Sequence, residues 1–371
     1  MRGRLLRAWR EGLKAAGGGV GSRREPPWRV LFFGTDRFAV TTLRALQAAR
    51  EPSRGLLVSR LEVVTLPSCL PVELPVKSCA HELQLPVHEW PQTGPVGQFD
   101  VGVVASFGRL LSEDLILQFP YGVLNVHPSC LPRWRGPAPI VHTVLHGDKV
   151  TGVTVMEIRP KRFDVGPIIK QEVCPVPPQC TTKELEVILA EMGANMLLSV
   201  LKNLPESLEN KKEQPKEGVT FAPKISVAKS CINWEEQTAA QIIQLHRAIG
   251  ITQSNYISET SALNLFCLFA LKTRSNLVLL LDQVLNDHGV VPGSLLYHKT
   301  SQTLIARCKE GWVGIKTVVL KKKLTAIDFY NGYMHSWFQQ NSRTVHQECR
   351  FQTLKLNTAK KTLKEREFCV E

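Results

Sequence analysis

From Trp28 to about residue 204, the chain alternates apolar runs of five to eight residues with longer amphipathic stretches. Runs of this length predict buried strands, and apolar positions spaced three or four apart predict helices. We expect strands at Arg29–Phe33, Glu62–Leu66, Asp100–Ala105, Gly122–Val126, Thr151–Ile158 and Pro167–Val173. We expect helices at Phe38–Ala49, Arg109–Leu117, Ala138–Leu145 and Thr181–Leu201, the last capped by Thr181. Strands separated by helices predict an α/β domain with a mostly parallel sheet.

The pattern changes after this region. The segment Pro205–Gly218 is polar and charged with few large apolar side chains, which is typical of a linker. Beyond it we expect a helix at Trp234–Ile249. Short strand-like runs follow at Gly293–Tyr297, Thr303–Cys308 and Gly311–Val319. Short strands broken by turn residues favour a small β-barrel over a second parallel sheet.

Length and composition agree with two globular domains. The chain has 371 residues, of which 43% are hydrophobic and 21% charged. Its most apolar stretch, Ala262–Leu281, is interrupted by Lys272 and Arg274, so we expect no membrane span. The ten cysteines form no CxxC pair, which favours a reducing compartment over a disulfide scaffold.

The net charge of +13 is unevenly distributed. Residues 1–27 carry +5, residues 28–208 are neutral and residues 209–371 carry +8. A cationic second domain favours binding to a polyanion, although a charge run can also be a solvated face. Its densest clusters are Lys321–Lys323 and a tail with Lys360, Lys361 and Lys364.

The basic N-terminus has the pattern of an amphipathic helix. Arg4, Arg7, Arg10 and Lys14 are spaced three or four apart and share one helical face, with apolar residues available to the other. An arginine-rich, acid-poor opening of this kind resembles a mitochondrial presequence, and a disordered basic tail is the alternative. In either case we expect it to lie outside the folded domains.

Candidate chemistry lies at the end of a predicted strand. Asn125 and His127 are two residues apart, so their side chains share a face. The carboxyl ends of parallel strands open into the crevice where α/β sheets bind ligands. There an amide and an imidazole can stabilise an oxyanion, and the imidazole can move a proton. Asp164, in a polar loop, is the candidate carboxylate. Alternatively, Asn125 caps a turn and His127 is a buried structural histidine.

Other sites have weaker signals. The segment FFGTDRF has one glycine, which does not support a dinucleotide site, and there is no Walker A or GxSxG motif. His127 and Cys130 have no second pair of metal ligands at a compatible spacing. Ser129 and His127 do not form a favourable nucleophile and base for a hydrolase, because no nucleophile-elbow motif presents the serine. Trp134, between two arginines, either stacks on a ligand or packs.

The stretch NVHPSCLPRWRGPAP closely resembles the signature of folate-dependent formyltransferases. The likeness runs from VLFFGTD near residue 31 through TGVTVMEIRPKRFDVGPI to TFAPKIS and CINWEEQTAAQI in the second half. It therefore covers most of the chain beyond the presequence.

The resemblance implies a Rossmann-like formyl-transfer domain followed by an OB-like β-barrel. It implies 10-formyltetrahydrofolate as donor and methionyl initiator tRNA as acceptor, with no metal. Carried over by motif, the catalytic residues are Asn125, His127 and Asp164. The folate-binding turn is Ser129, Cys130, Leu131 and Pro132. With the presequence, this implies an enzyme of the mitochondrial matrix; we expect a monomer without a membrane partner.

The expected domains follow from these boundaries. They are a presequence at 1–27, a catalytic domain at 28–204, a linker at 205–226, a tRNA-contacting β-barrel at 227–358 and a basic tail at 359–371.

Two regions depart from the family. Bacterial relatives have a long basic insertion where Leu66–Lys77 is short with one basic residue, and Ile251–Leu285 does not resemble what is expected there.

Two other functions have to be weighed. A formyltransferase for a small amine could use the same three residues, but it would need no extended cationic domain. A nucleic-acid-binding protein without activity could keep the fold, but the complete set of an amide, an imidazole and a carboxylate argues against it.

Overall fold

The computed structural model describes residues 25–68, 72–250, 290–319, 323–335 and 349–351. It divides into a first unit of Met1–Arg135, Gly152–Val173 and Val187–Thr220 and a second of Gly136–Thr151, Cys174–Glu186 and Phe221–Glu371. Both units are discontinuous in sequence, and the predicted domain ranges stay predictions. Most of the presequence, the segment 251–285, Lys321, Lys322 and the tail 359–371 lie outside the described residues.

A seven-stranded sheet organises the first unit. Its strands are β1 (Trp28–Gly34), β2 (Val58–Thr65), β3 (Val87–Glu89), β4 (Val101–Ala105), β5 (Val123–His127), β6 (Val150–Glu157) and β7 (Ile168–Pro175). The order is β3-β2-β1-β4-β5-β6-β7. The first five are parallel, and β6 runs antiparallel to β5. The predicted α/β fold with a mostly parallel sheet is confirmed.

The central strands are buried on both faces, which explains their almost continuous apolar sequences. Every residue of β4 is buried, as is every residue of β1 except Arg29. The Phe33 ring makes edge contacts with Phe107 and Phe119, at centroid distances of 5.5 and 6.4 Å. This packing joins the carboxyl end of β1 to the segment that follows β4 and to the segment that precedes β5.

Six helices lie along this part of the chain, of which three begin at polar side-chain caps and three have a proline in the first turn. They are α1 (Arg37–Ala48), α2 (Pro75–Glu82), α3 (Glu113–Leu117), α4 (Pro139–Leu145), α5 (Thr182–Lys202) and α6 (Leu204–Glu209). The predicted Thr181 cap is confirmed, because Glu184 N donates to Thr181 Oγ1 and Thr181 N donates to Glu184 Oε2. The helix predicted from Arg109 begins only at Glu113, where the Ser112 side chain accepts from Leu115 N. The sequence pattern missed α2 and β3.

The polar segment predicted as a linker is paired with the sheet. Its first residues form the end of α6, and Lys212 exchanges two main-chain hydrogen bonds with Ile168, of 2.7 and 2.8 Å. Main-chain pairing needs no apolar side chain, so hydropathy gave no signal of it. The segment is thereby held beside β7.

The second unit contains antiparallel strands. The strands β8 (Leu295–His298), β9 (Thr303–Arg307) and β10 (Trp312–Ile315) form one sheet, and β11 (Thr317–Val319) pairs with β12 (Lys323–Thr325). The helices are α7 (Val227–Ser230), α8 (Ala239–Leu245) and α9 (Ala326–Phe329), with π-helical turns at His246–Gly250 and Tyr330–Met334. These strands agree with the predicted small β domain.

Two predictions in this unit are corrected. The helix expected from Trp234 begins at Ala239, because Thr238 and Gln241 form a capping box. The strand expected at Gly311–Val319 is interrupted at Lys316. Within the described ranges, no helix has the length and hydropathy needed to span a membrane.

Candidate active site

Strand β5 places Asn125 and His127 on the same face of the sheet. Asn125 lies opposite Val104 of β4 and Met156 of β6, and His127 lies opposite Thr154. The strand is otherwise apolar and buried, so these two polar side chains are held in a rigid frame. Both are positioned by the register of β5 with its neighbours.

The His127 ring has a defined orientation. Its Nε2 lies 3.0 Å from the main-chain oxygen of Trp134. A carbonyl oxygen can only accept, so Nε2 carries a proton. The other ring nitrogen, Nδ1, lies 3.7 Å from Asp164 Oδ1, which is within ion-pair range, and both side chains are largely buried.

Asp164 joins this pair from the loop between β6 and β7. Its Oδ1 is 3.5 Å from Nδ2 of Asn125, and its backbone is left-handed with φ of +54°. Gly166 in the same loop packs so closely on the Glu157 main-chain oxygen that any side chain would overlap it. The structure therefore brings together the three residues predicted as catalytic.

The side chain of Thr154 forms hydrogen bonds with the main chain of the predicted folate-binding turn. Thr154 Oγ1 donates to Ser129 O at 2.7 Å and accepts from Leu131 N at 3.2 Å. Gln171 Nε2 donates to Leu131 O at 2.9 Å and to Thr154 Oγ1 at 2.8 Å. The sequence analysis missed Thr154 and Gln171. No pattern within one strand indicates Thr154, because it meets the turn through the pairing of β6 with β5.

Trp134 packs inside the first unit. It is 6% exposed and adopts a left-handed backbone with φ of +61°. Its main-chain N donates to Thr220 Oγ1 at 2.9 Å, and the Arg133 guanidinium lies 4.4 Å from its ring centroid. This burial favours packing over stacking on a ligand.

Arg135 and Gln214 border the site, and the sequence analysis missed Gln214. Arg135 Nε and Nη2 lie 3.1 and 2.6 Å from Gln214 Oε1. Gln214 Nε2 in turn donates to the main-chain oxygens of Asp164 and Gly166, both at 2.9 Å. Burial lowers the pKa of Arg135, and the negative charge of Asp164 opposes this shift. No local pattern distinguishes Gln214 from its polar neighbours.

Among the described residues, no group of three or more His, Cys, Asp or Glu side chains is arranged to hold a metal ion. The donors that converge here are an amide, an imidazole and a carboxylate. This set can stabilise negative charge on an oxygen and move a proton.

Comparison with known proteins gives the family. Residues 89–201 match the formyl transferase family, and residues 224–334 match the formyl transferase C-terminal domain. The mitochondrial methionyl-tRNA formyltransferase of Homo sapiens is 61% identical over 343 residues, covering 92% of this chain and 87% of that protein. The Mus musculus enzyme of the same name is 60% identical, covering 92% and 88%.

A solved structure supports the fold. The N-formyltransferase from Helicobacter canadensis, in complex with folinic acid and dTDP-3-aminofucose, superposes with a TM-score of 0.51 at 14% identity. The match covers 78% of this chain and 98% of that one.

Fold, site and family matches together define a formyltransferase. At the level of sequence identity found, the chain belongs to the mitochondrial methionyl-tRNA formyltransferase family.

Proposed function

We propose that this protein transfers the formyl group of 10-formyltetrahydrofolate to the α-amino group of methionyl initiator tRNA in the mitochondrial matrix, for initiation of mitochondrial translation. The identity of 61% to a mitochondrial methionyl-tRNA formyltransferase supports the reaction and the organelle. The basic N-terminal pattern supports import. The observation that carries the chemistry is the convergence of Asn125, His127 and Asp164 within 3.5 to 3.7 Å.

The reaction begins with the amine as a free base. An α-amino group has a reference pKa of about 7.7–8.0, so a fraction is unprotonated at neutral pH. Its nitrogen attacks the formyl carbon, a new C–N bond forms, and the carbonyl oxygen becomes an oxyanion. The bond from that carbon to the folate nitrogen then breaks, and the proton lost by the amine passes to this nitrogen.

Asn125 and His127 stabilise the oxyanion in this proposal. Asn125 donates from Nδ2, and His127 donates from Nδ1 in its protonated form. The hydrogen bond from Nε2 to Trp134 holds the ring so that Nδ1 faces the site. The Asp164 carboxylate, 3.7 Å from Nδ1, aligns the ring in this proposal. Alternatively, it directs the water that relays the amine proton.

The turn Ser129–Pro132 binds the folate in this proposal. Leu131 is 2% exposed, and its main-chain N and O are both held, by Thr154 and Gln171. A rigid turn suits a cosubstrate whose formyl carbon must be placed within ångströms of the oxyanion donors. We further propose that the protein acts as a monomer, which light scattering of the purified chain would test.

One assay tests the proposed function. The chain without residues 1–27 is incubated with methionyl initiator tRNA and 10-formyltetrahydrofolate, and formyl-methionine is measured after deacylation. Product formation is expected. Formylation of a free small amine, but not of the charged tRNA, would favour a small-molecule enzyme. Retention of tRNA without product would favour a binding protein.

A further inference from the structure

A ring of polar contacts connects His127 and Asp164 through Trp134, Arg135 and Gln214, and the proposed mechanism uses neither Arg135 nor Gln214. His127 Nε2 donates to the main-chain oxygen of Trp134, and Arg135 follows in the chain. Arg135 donates twice to Oε1 of Gln214, and Nε2 of Gln214 donates to the main-chain oxygen of Asp164. The 3.7 Å approach of Asp164 Oδ1 to His127 Nδ1 closes the ring.

The orientation of the Gln214 amide is unique. A guanidinium only donates and main-chain oxygens only accept, so Oε1 must face Arg135 and Nε2 must face the loop. The two N–H groups of Nε2 go to the main-chain oxygens of Asp164 and Gly166. These oxygens flank Val165, so one side chain fixes both ends of the short span that carries the carboxylate.

The span needs such support because of its backbone. Asp164 has φ of +54°, a region that residues other than glycine rarely adopt. A residue held in this region depends on surrounding contacts, and Gln214 supplies two of them from a different part of the chain.

We infer that Gln214 is a positioning residue, anchored by Arg135, that holds the loop of Asp164 so that this carboxylate faces His127 and Asn125. The inference rests on the proposed function and deepens it. It also gives the polar segment after α6 a role in catalysis in addition to its role as a connection.

The test compares Gln214→Glu with a matched control. A glutamate keeps an oxygen for Arg135 but loses both N–H donors to the loop. We expect kcat to fall by about 10- to 100-fold, because a displacement of about 1 Å in a catalytic group can cost that much. The KM values for tRNA and folate should change by less than about 3-fold. Gln98→Glu is the control, since Gln98 Oε1 also accepts from an arginine, Arg60, at 2.5 Å, but Gln98 precedes the amino end of β4, whereas the site lies at the carboxyl end of β5.

A double variant separates positioning from general structure. If Gln214 acts through Asp164, adding Gln214→Glu to Asp164→Asn should lower kcat by less than about 3-fold further. Thermal unfolding of each variant is measured alongside, and Gln214→Leu repeats the comparison without a new charge.

The outcomes are distinguishable. If the wild type is active and the kcat of Gln214→Glu equals that of Gln98→Glu, the inference is overturned and the proposed function is not. The inference is also overturned if Gln214→Glu lowers kcat by the same factor in the wild type and in Asp164→Asn. The same holds if its effect appears in KM and thermal stability. A wild type that transfers no formyl group overturns the proposed function and the inference with it.

Discussion

The Nε2 atom of His127 donates a 3.0 Å hydrogen bond to the main-chain oxygen of Trp134, which determines what the other ring nitrogen can do. In the neutral ring, Nδ1 has no proton and can only accept. In the charged ring, both nitrogens donate, and Nδ1 lies 3.7 Å from the Asp164 carboxylate. The ring therefore presents Nδ1 to the site, as an acceptor when neutral and as a donor when charged.

We predict that Asn125→Ala and His127→Ala each lower kcat by at least about 10²- to 10³-fold, the usual cost of removing one oxyanion donor. Binding of methionyl-tRNA, measured by filter retention, should stay within about 3-fold, because neither residue is proposed to contact the tRNA body. His81→Ala, on the exposed side of α2, is the control. Near wild-type turnover in either variant would contradict the assigned roles.

We predict that Thr154→Val weakens folate binding and stability. The variant leaves Ser129 O and Leu131 N without their contacts to the Thr154 hydroxyl. Leaving buried polar groups unsatisfied costs about 1–3 kcal/mol, and KM for folate should rise as the turn loosens. Denaturant unfolding and steady-state kinetics measure the two effects.

The control for this change is Thr42→Val in α1. Thr42 is fully buried, and its hydroxyl has no hydrogen-bond partner among the described residues. Because the valine removes an unsatisfied buried hydroxyl, the unfolding free energy should not fall, and KM for folate should not change. If both variants behave alike, the Thr154 hydroxyl does not hold the turn.

We predict that Gly166→Ala displaces the loop that carries Asp164. The new methyl group would overlap the Glu157 main-chain oxygen, which cannot move without shifting β6. We expect a loss of about 1–3 kcal/mol of unfolding free energy and about 10²-fold in kcat. Gly97→Ala, where the added methyl meets open space, should change neither. Retention of full activity in Gly166→Ala would show that the loop tolerates displacement.

We predict an acid-dependent contribution to stability from Glu62 in β2. Burial alone raises its pKa, but hydrogen bonds from His88 and Arg60 outweigh burial and lower it overall. A carboxyl with a lowered folded-state pKa stabilises above its unfolded pKa, and this contribution is lost as pH falls. The unfolding free energy of the wild type should exceed that of Glu62→Gln by less than about 1 kcal/mol near pH 7, and the gap should close between about pH 5 and 3.

The control for this pH series is Glu82→Gln, a largely exposed carboxylate on α2. A pH dependence that both variants share would not be assigned to Glu62. A Glu62→Gln gap that stays constant or widens towards acid would contradict the prediction.

The local pattern of apolar residues predicted most strands of the seven-stranded sheet. The bounds of β1, β4 and β5 are within one residue of expectation at each end, because a continuous apolar run reports burial on both faces. The same reasoning placed Asn125 and His127 on one face, since that follows from strand geometry alone. It failed at Arg109–Ser112, where a cap delayed the helix, and at α2 and β3, whose apolar signals are short.

The sequence by itself determined the α/β class, the polar pair at the end of β5, the family signature and the cationic second half. Only the tertiary structure decided that Asp164 reaches that pair, because β6 runs antiparallel and its following loop must fold back beside β5. It also decided that Thr154 hydrogen-bonds to the predicted folate-binding turn and that Gln214 hydrogen-bonds to the loop of Asp164. These contacts depend on the register between distant segments, and no pattern within one segment reports the register of another.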